Sequence, residues 1–250
     1  PLSRASRAIG SSGTLFGSFW GSKRNIYRKN DANPSEPPQG GGKRKRKTKI
    51  KTKKDEFMRI LMISNHLGVQ SGVQRYVQNL LLNLDTTKYK IDLFVGLCPA
   101  DQASTAPALI AHGVNIIGVP DHKRDRIKAL YGHLRSHNNY DIIHYHTASK
   151  VGAPVCGMMR ALCPRAKIIV HSHIVYPPMT LTWRAAHGVY QLFADYFLGC
   201  GVAAGRFVFG DHIDRKPNFA VACNAVDQTR FYPDAAARAA SRAAWGLAES

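Results

Sequence analysis

Acidic residues are scarce in this chain. Sixteen Asp and Glu stand against thirty-five Lys and Arg over 250 residues, a formal net charge of +19. Cysteine is scarce as well. The five residues Cys98, Cys156, Cys163, Cys200 and Cys223 are odd in number, and none forms a C-x-x-C pair. That pattern gives no disulfide framework and points to a reducing compartment. No uninterrupted apolar run reaches the ~18 residues that a membrane-spanning helix needs. The N-terminus lacks the compact basic, apolar and small-residue layout of a signal peptide. It begins with Pro rather than Met, which leads us to expect a fragment or a misassigned start, with Met58 as the natural initiator. Two nucleotide signatures are also missing: there is no G-x-G-x-x-G and no G-K-[ST]. Nor does an acidic residue close the second strand candidate to hold a ribose. Nicotinamide-dinucleotide and P-loop chemistry are set aside accordingly.

The positive charge is unevenly spread. Residues 1–56 carry fifteen Lys/Arg and four Asp/Glu, a net of +11, whereas residues 57–250 carry a net of +8. The stretch "NPSEPPQGGGKRKRKTKIKTKK" has almost no apolar side chains to offset the entropy of ordering. Residues 1–56 are therefore read as a disordered basic tail. The block Lys43 to Lys54 suits an anionic surface, either nucleic acid or membrane. No aromatic interleaving or folded nucleic-acid motif accompanies it, so nucleic acid is not the partner expected.

From Phe57 onward short apolar runs alternate with helical patterns. Strands are expected at 57–63, 91–96, 114–119, 140–146, 167–173, 195–200 and 219–223. Helices are expected from the glycine turn at 72, then near 105–112, 124–137, 148–162, 181–193 and 202–210. In the first helix Val73, Val77, Leu80, Leu81 and Leu84 recur at 3.6-residue spacing. The strand candidates are apolar throughout, as strands buried on both faces are. The repeat predicts an α/β fold with a doubly wound parallel, Rossmann-like sheet. Ligands bind such sheets at the carboxyl ends of the strands.

Two strand candidates end in His-X-His: "YDIIHYH" carries His144 and His146, and "KIIVHSH" carries His171 and His173. Residues two apart in a strand share a face. Four imidazoles offer the donor atoms of a zinc site, but no carboxylate or cysteine stands beside them in sequence, and no metal is expected. His144 and His171 are read as packed in the core, while His146 and His173, last in their strands, are read as reaching the crevice. The first strand-to-helix turn, "SNHLGVQSGVQ", places Gly68 and Gly72 where tight turns form, with Ser71 as the N-cap. Gly72 opens a helix, where free N–H groups favour a phosphate. Ordinary turn chemistry is the alternative for these glycines.

Taken in order, these pieces resemble the N-terminal half of glycosyltransferase family 4, the retaining GT-B enzymes, in its capsular and exopolysaccharide branch. "MRILMISNHLGVQSGVQRYVQNLLLNL" resembles the family's first strand, glycine loop and first helix. "YDIIHYHTA" is similar to its Asp-hydrophobic-hydrophobic-His-X-His strand, and "AKIIVHSH" to the strand ending in a donor-contacting histidine. "DYFLGCGVAAGRFVFG" is similar to its "ADYFIACS" segment, "VACNAVDQTRFYP" to "IPNGVD…RF.P", and "SRAAWGL" to the helix that follows. The family's Gly-Gly-Ala-Glu is here Ser71-Gly72-Val73-Gln74, with one glycine and the carboxylate lost. Its "ACS" is here Gly199-Cys200-Gly201, without the hydroxyl.

The resemblance implies transfer of a hexose from a nucleotide diphosphate sugar to a saccharide or lipid-linked acceptor, with the anomeric configuration retained. It implies donor binding at Gly72 and His173. Gly68, Ser71 and His146 would lie on the acceptor side or line the cleft. No catalytic residue is assigned, and no cofactor is needed beyond the nucleotide sugar as co-substrate. Residues 57–223 would be the N-terminal GT-B domain, and residues 224–250 the interdomain linker and the start of a C-terminal donor-binding domain. No Glu-x₇-Glu follows Asp227, so the donor motif of that second domain is not present in this stretch. A cytoplasmic protein is expected, with peripheral contact to the inner face of the membrane. Two other readings stay open: an inactive remnant or partner-dependent subunit, and nucleic-acid binding through the tail.

Overall fold

The computed structural model describes residues 57–68, 71–97, 99–120, 122–147, 149–175, 179–226 and 231–248. The basic tail expected over residues 1–56 lies outside them.

Seven strands form one sheet: β1 (Met58–Ser64), β2 (Tyr89–Leu97), β3 (Val114–Pro120), β4 (Ile142–Thr147), β5 (Lys167–Ser172), β6 (Tyr196–Gly199) and β7 (Phe219–Val221). All neighbours are parallel, in the order β3-β2-β1-β4-β5-β6-β7. The connecting helices are α1 (Gly72–Asn83), α2 (Pro99–Ala111), α3 (Lys123–Ser136), α4 (Gly152–Leu162), α5 (Leu181–Phe193) and α6 (Val202–Phe209), with a 3₁₀ turn at Ile213–Arg215. A further helix, α7 (Ala235–Ala244), follows β7. The sequence of β-α units with apolar strands thus closes into the doubly wound parallel sheet expected of it.

Alternation along the strands divides the core into two layers. Leu61, Ile63, Ile143, Ile168 and Val170 face α3 to α6, where they meet Leu134, Cys156, Met159, Tyr190 and Phe209. Met62, Leu93 and Val95 face α1 and α2 and pack on Val77, Leu81 and Leu109. The stripe expected on α1 is rotated. Val77 and Leu81 are buried, but so are the polar Gln74 and Gln78. Gln78 is accommodated because its Nε2 donates to the Leu67 carbonyl at 2.9 Å.

Two helices differ from their expected bounds. α2 begins at Pro99, six residues before the expected start, because Pro is well placed in a first turn where no N–H is needed. α4 begins at Gly152, where the backbone runs so close to β4 and α5 that an added Cβ would lie 2.3 Å from the Tyr190 hydroxyl and 2.5 Å from that of Thr147. In the segment expected to lead out of the domain, Asp234 caps α7, accepting from Ala236 N (2.9 Å) and Ala237 N (3.0 Å). No residue of α7 is buried.

Candidate functional site

The strand order reverses between β1 and β4, and this is the switch point at which the loops on either side part to leave a crevice. The loop leaving β1 is pinned from below. Leu67 O accepts from Gln78 Nε2 and from Thr105 Oγ1 (3.2 Å), and Asn65 O accepts from Gly96 N (2.9 Å) and Arg126 Nη1 (2.8 Å). Gly68, itself buried, donates its N–H to His66 Nδ1 at 3.0 Å.

Beyond that loop, Ser71 occupies the N-cap position of α1 with extended backbone (φ −106°, ψ 133°), but its side chain makes no capping hydrogen bond. Its carbonyl accepts the Arg75 N–H at 3.0 Å, so the N–H groups of the turn before Arg75 have no partner within the helix. Gly72 is exposed at this end, and a Cβ built on it would meet only the Asn224 Nδ2, at 3.9 Å. The segment after β7 therefore passes over the start of α1, bringing the Asn224 amide to the helix N-terminus.

The four histidines lie on the α1 face of the sheet. Register places His146 opposite His171, and His144 opposite Ile169. Ring centroids are 4.3 Å apart for His144–His146, 4.0 Å for His171–His173, 5.1 Å for His146–His171 and 5.2 Å for His146–His173. Tyr76 of α1 closes the group, edge-on to His171 at 4.9 Å and 5.5 Å from His173. His144, His146 and His171 are buried (1 %, 2 % and 0 % exposed), while His173 is partly open. The structure thus places His146 beneath His173 rather than at the surface, the two joined by a 2.9 Å contact between His146 Nδ1 and His173 Nε2.

All four rings are held neutral. Burial pushes His144 down to about 3 and His173 to about 4, His144 being lowered further by His173. Burial, followed by the neighbouring imidazoles, takes His146 and His171 well below the usual histidine range. Burial, and then Cys223, push the Tyr76 hydroxyl up to about 12. The rim of the site is thus neutral imidazole, phenol and amide, with backbone N–H groups at one side. Such a surface hydrogen-bonds hydroxyls and phosphate oxygens without presenting a fixed charge.

Tyr76 and His66 were not singled out by motif, since one lies inside an amphipathic helix and the other inside a turn. Asn224 is legible only through the resemblance of "NAVD", because nothing local ties it to Gly72, 152 residues earlier in the chain.

A parallel, doubly wound sheet with a pinned loop after β1 and an imidazole cluster at the carboxyl ends of β4 and β5 defines a Rossmann-like domain. The chain belongs to glycosyltransferase family 4: the model of Glycosyltransferase Family 4 matches residues 70–206, which carry Gly72, α1 and both His-X-His strands. No curated protein matches it by sequence. Among solved structures it is similar to Anabaena Alr3699/HepE in complex with UDP and glucose, with 15% identity and a TM-score of 0.54 over 76% of this chain and 50% of that one. The same protein with UDP-glucose gives 14% identity and a TM-score of 0.54, and with UDP 14% and 0.50, over the same shares. At such identity the likeness shows the fold. The chain spans about half the length of these structures.

Proposed function

We propose that this chain is the acceptor-side half of a nucleotide-sugar-dependent glycosyltransferase. The reaction moves a hexose from a nucleotide diphosphate sugar to a saccharide or lipid-linked acceptor of cell-surface polysaccharide assembly, with retention at the anomeric carbon. The observation that supports this reading is a family 4 domain whose α1 starts with Asn224 Nδ2 3.9 Å from a Cβ built on Gly72 and, one turn along, sets Tyr76 5.5 Å from His173. That Anabaena HepE is solved with UDP, glucose and UDP-glucose supports a nucleotide sugar as the ligand.

Each residue then has a role. N–H groups at Gly72 meet diphosphate oxygens on which charge grows as the bond to the sugar breaks. His173, neutral and partly open, hydrogen-bonds a hydroxyl of the transferred sugar and orients it. His146 supports His173 from below, and Gly68 and Ser71 shape the loop beside the acceptor. No general base is assigned from this half, since a retaining transfer can use the leaving phosphate to take the acceptor proton. The protein acts in the cytoplasm, on the inner face of the membrane where lipid-linked acceptors lie.

The test is transfer of labelled glucose from UDP-glucose by the native polypeptide isolated from its source cells, with His173→Ala alongside. Sugar transfer with kcat/KM reduced ~10–100-fold in the variant, the loss of one or two orienting contacts, is the expected result. Transfer unaffected by the substitution would remove His173 from the site. No turnover of any nucleotide sugar by the native polypeptide would favour the remnant or partner-dependent reading.

A further inference from the structure

The imidazole cluster contains more than the sugar-binding role uses. Both ring nitrogens of His171 and the Nε2 of His146 are buried and have no hydrogen-bond partner. An unpaired buried polar group is costly, and several in one place call for a water or an ion that satisfies them together. His144, His146 and His171 can each present one ring nitrogen such that the three lie within 4.8 Å of one another. No Asp, Glu or Cys joins this group among the described residues.

We infer that His144, His146 and His171 form a three-imidazole site for a divalent transition metal of the zinc class. The inference is independent of the sugar-transfer reading. Three features of the site support it. The ligands come in adjacent registers of β4 and β5, so the strands themselves set their spacing. The contact between His146 Nδ1 and His173 Nε2 occupies one nitrogen of His146, and with the proton on Nδ1 the unpartnered Nε2 keeps its lone pair for an ion. All three rings are buried, which shields their nitrogens from bulk water.

An all-nitrogen donor set selects zinc, copper, nickel or cobalt over magnesium and calcium. Tetrahedral zinc holds its nitrogens at ~2.0–2.1 Å, hence ~3.3 Å from one another, so the rings close in by rotation on binding. The ion would bring two positive charges among neutral ligands, and a hydroxide or another small anion in the fourth position would complete the shell. Its effect is to tie the carboxyl ends of β4 and β5 beneath His173. The sequence alone led us to expect no metal, because no acidic or thiol ligand stands near the motifs.

The test uses the full chain without a polyhistidine tag. The chelated protein is dialysed against Zn²⁺ or Co²⁺, and metal content, visible absorption and thermal midpoint are read. About one equivalent of tightly held metal, tetrahedral cobalt bands and a midpoint raised by several degrees are expected. His171→Gln and His146→Gln should abolish all three, whereas His137→Ala, at the exposed C-cap of α3, should leave them unchanged. If the glutamine variants fail to fold, the wild-type metal content and cobalt spectrum decide alone. Absence of bound metal and of cobalt bands in the folded wild type, or binding lost only with His137→Ala, would overturn the site and leave water as the cluster's occupant.

Discussion

Asp195 shows how one residue can join several elements. Its carboxylate meets the guanidinium of Arg160, Lys167 Nζ at 3.1 Å and the Ile168 N–H at 2.8 Å, while its carbonyl accepts from Asn218 Nδ2 at 2.9 Å. Arg160 in turn donates to the carbonyls of Phe193 and Ala166. α4, β5, β6 and the approach to β7 are thereby held to one residue. Burial raises the carboxyl's pKa, but the Ile168 N–H and the Arg160 and Lys167 hydrogen bonds outweigh it and hold the group below the ordinary aspartate value of 3.8.

A depressed carboxyl pKa stabilises the fold at every pH above the unfolded value of ~3.9, and that contribution fades as pH falls through the lower folded value. Asp195→Asn should cost about 1–2 kcal/mol at neutral pH, the size of charge-assisted hydrogen bonds reduced by partial exposure to solvent. The gap to wild type should narrow below pH ~4, where wild type loses the same contribution. Urea unfolding at pH 7 and pH 3 measures both values, and a gap that is the same at the two pH values would assign the effect to packing rather than charge.

At the scale of elements, the turn from β6 into α6 is set by close backbone approach. A Cβ on Gly199 would lie 2.6 Å from the Gly201 carbonyl oxygen and 3.0 Å from the Gly205 amide nitrogen, both backbone atoms that cannot swing aside. This accounts for glycine standing where the family pattern has alanine. Gly199→Ala should destabilise the protein by about 1–3 kcal/mol, as overpacking does, read as a fall in thermal midpoint of several degrees. A midpoint unchanged within a degree would show that the turn relaxes freely.

The strands and helices were legible in sequence because apolar runs and 3.6-residue spacing report burial directly. Misplaced boundaries arose where burial was not the cause. α2 starts six residues early on a proline, and the buried face of α1 includes Gln74 and Gln78, whose polarity hides their position. The same limit applied to the site. The histidines stood out by their spacing, yet only the register of β4 with β5 shows that all four rings share one cluster. The pairing of Gly72 with Asn224 is a product of topology, which local patterning does not carry.

Across the whole molecule, the sheet separates an apolar layer from one that carries the imidazole cluster. The face toward α3 to α6 is filled with apolar side chains, whereas the α1 face changes from Ile142 and Ile169 at the base to imidazoles at the carboxyl edge. Among the described residues no helix is long and apolar enough to cross a membrane. The proposed contact with a lipid-linked acceptor would draw on charge, of which residues 57–250 carry a net +8 and residues 1–56 a further +11. Sedimentation with vesicles should show binding to anionic lipid that weakens between low and physiological salt, and none to neutral lipid. Equal binding to both, or to neither, would contradict peripheral docking through charge.

The central claim is that the crevice between β1 and β4 holds a nucleotide sugar, and amide shifts in a ¹⁵N-labelled sample of the full chain titrated with UDP-glucose test it most directly. Saturable shifts concentrated at Gly72, Val73, His173 and Asn224 are expected, with α7 and the outer helices unmoved. Shifts scattered over the basic surface, or none at these four residues, would contradict it.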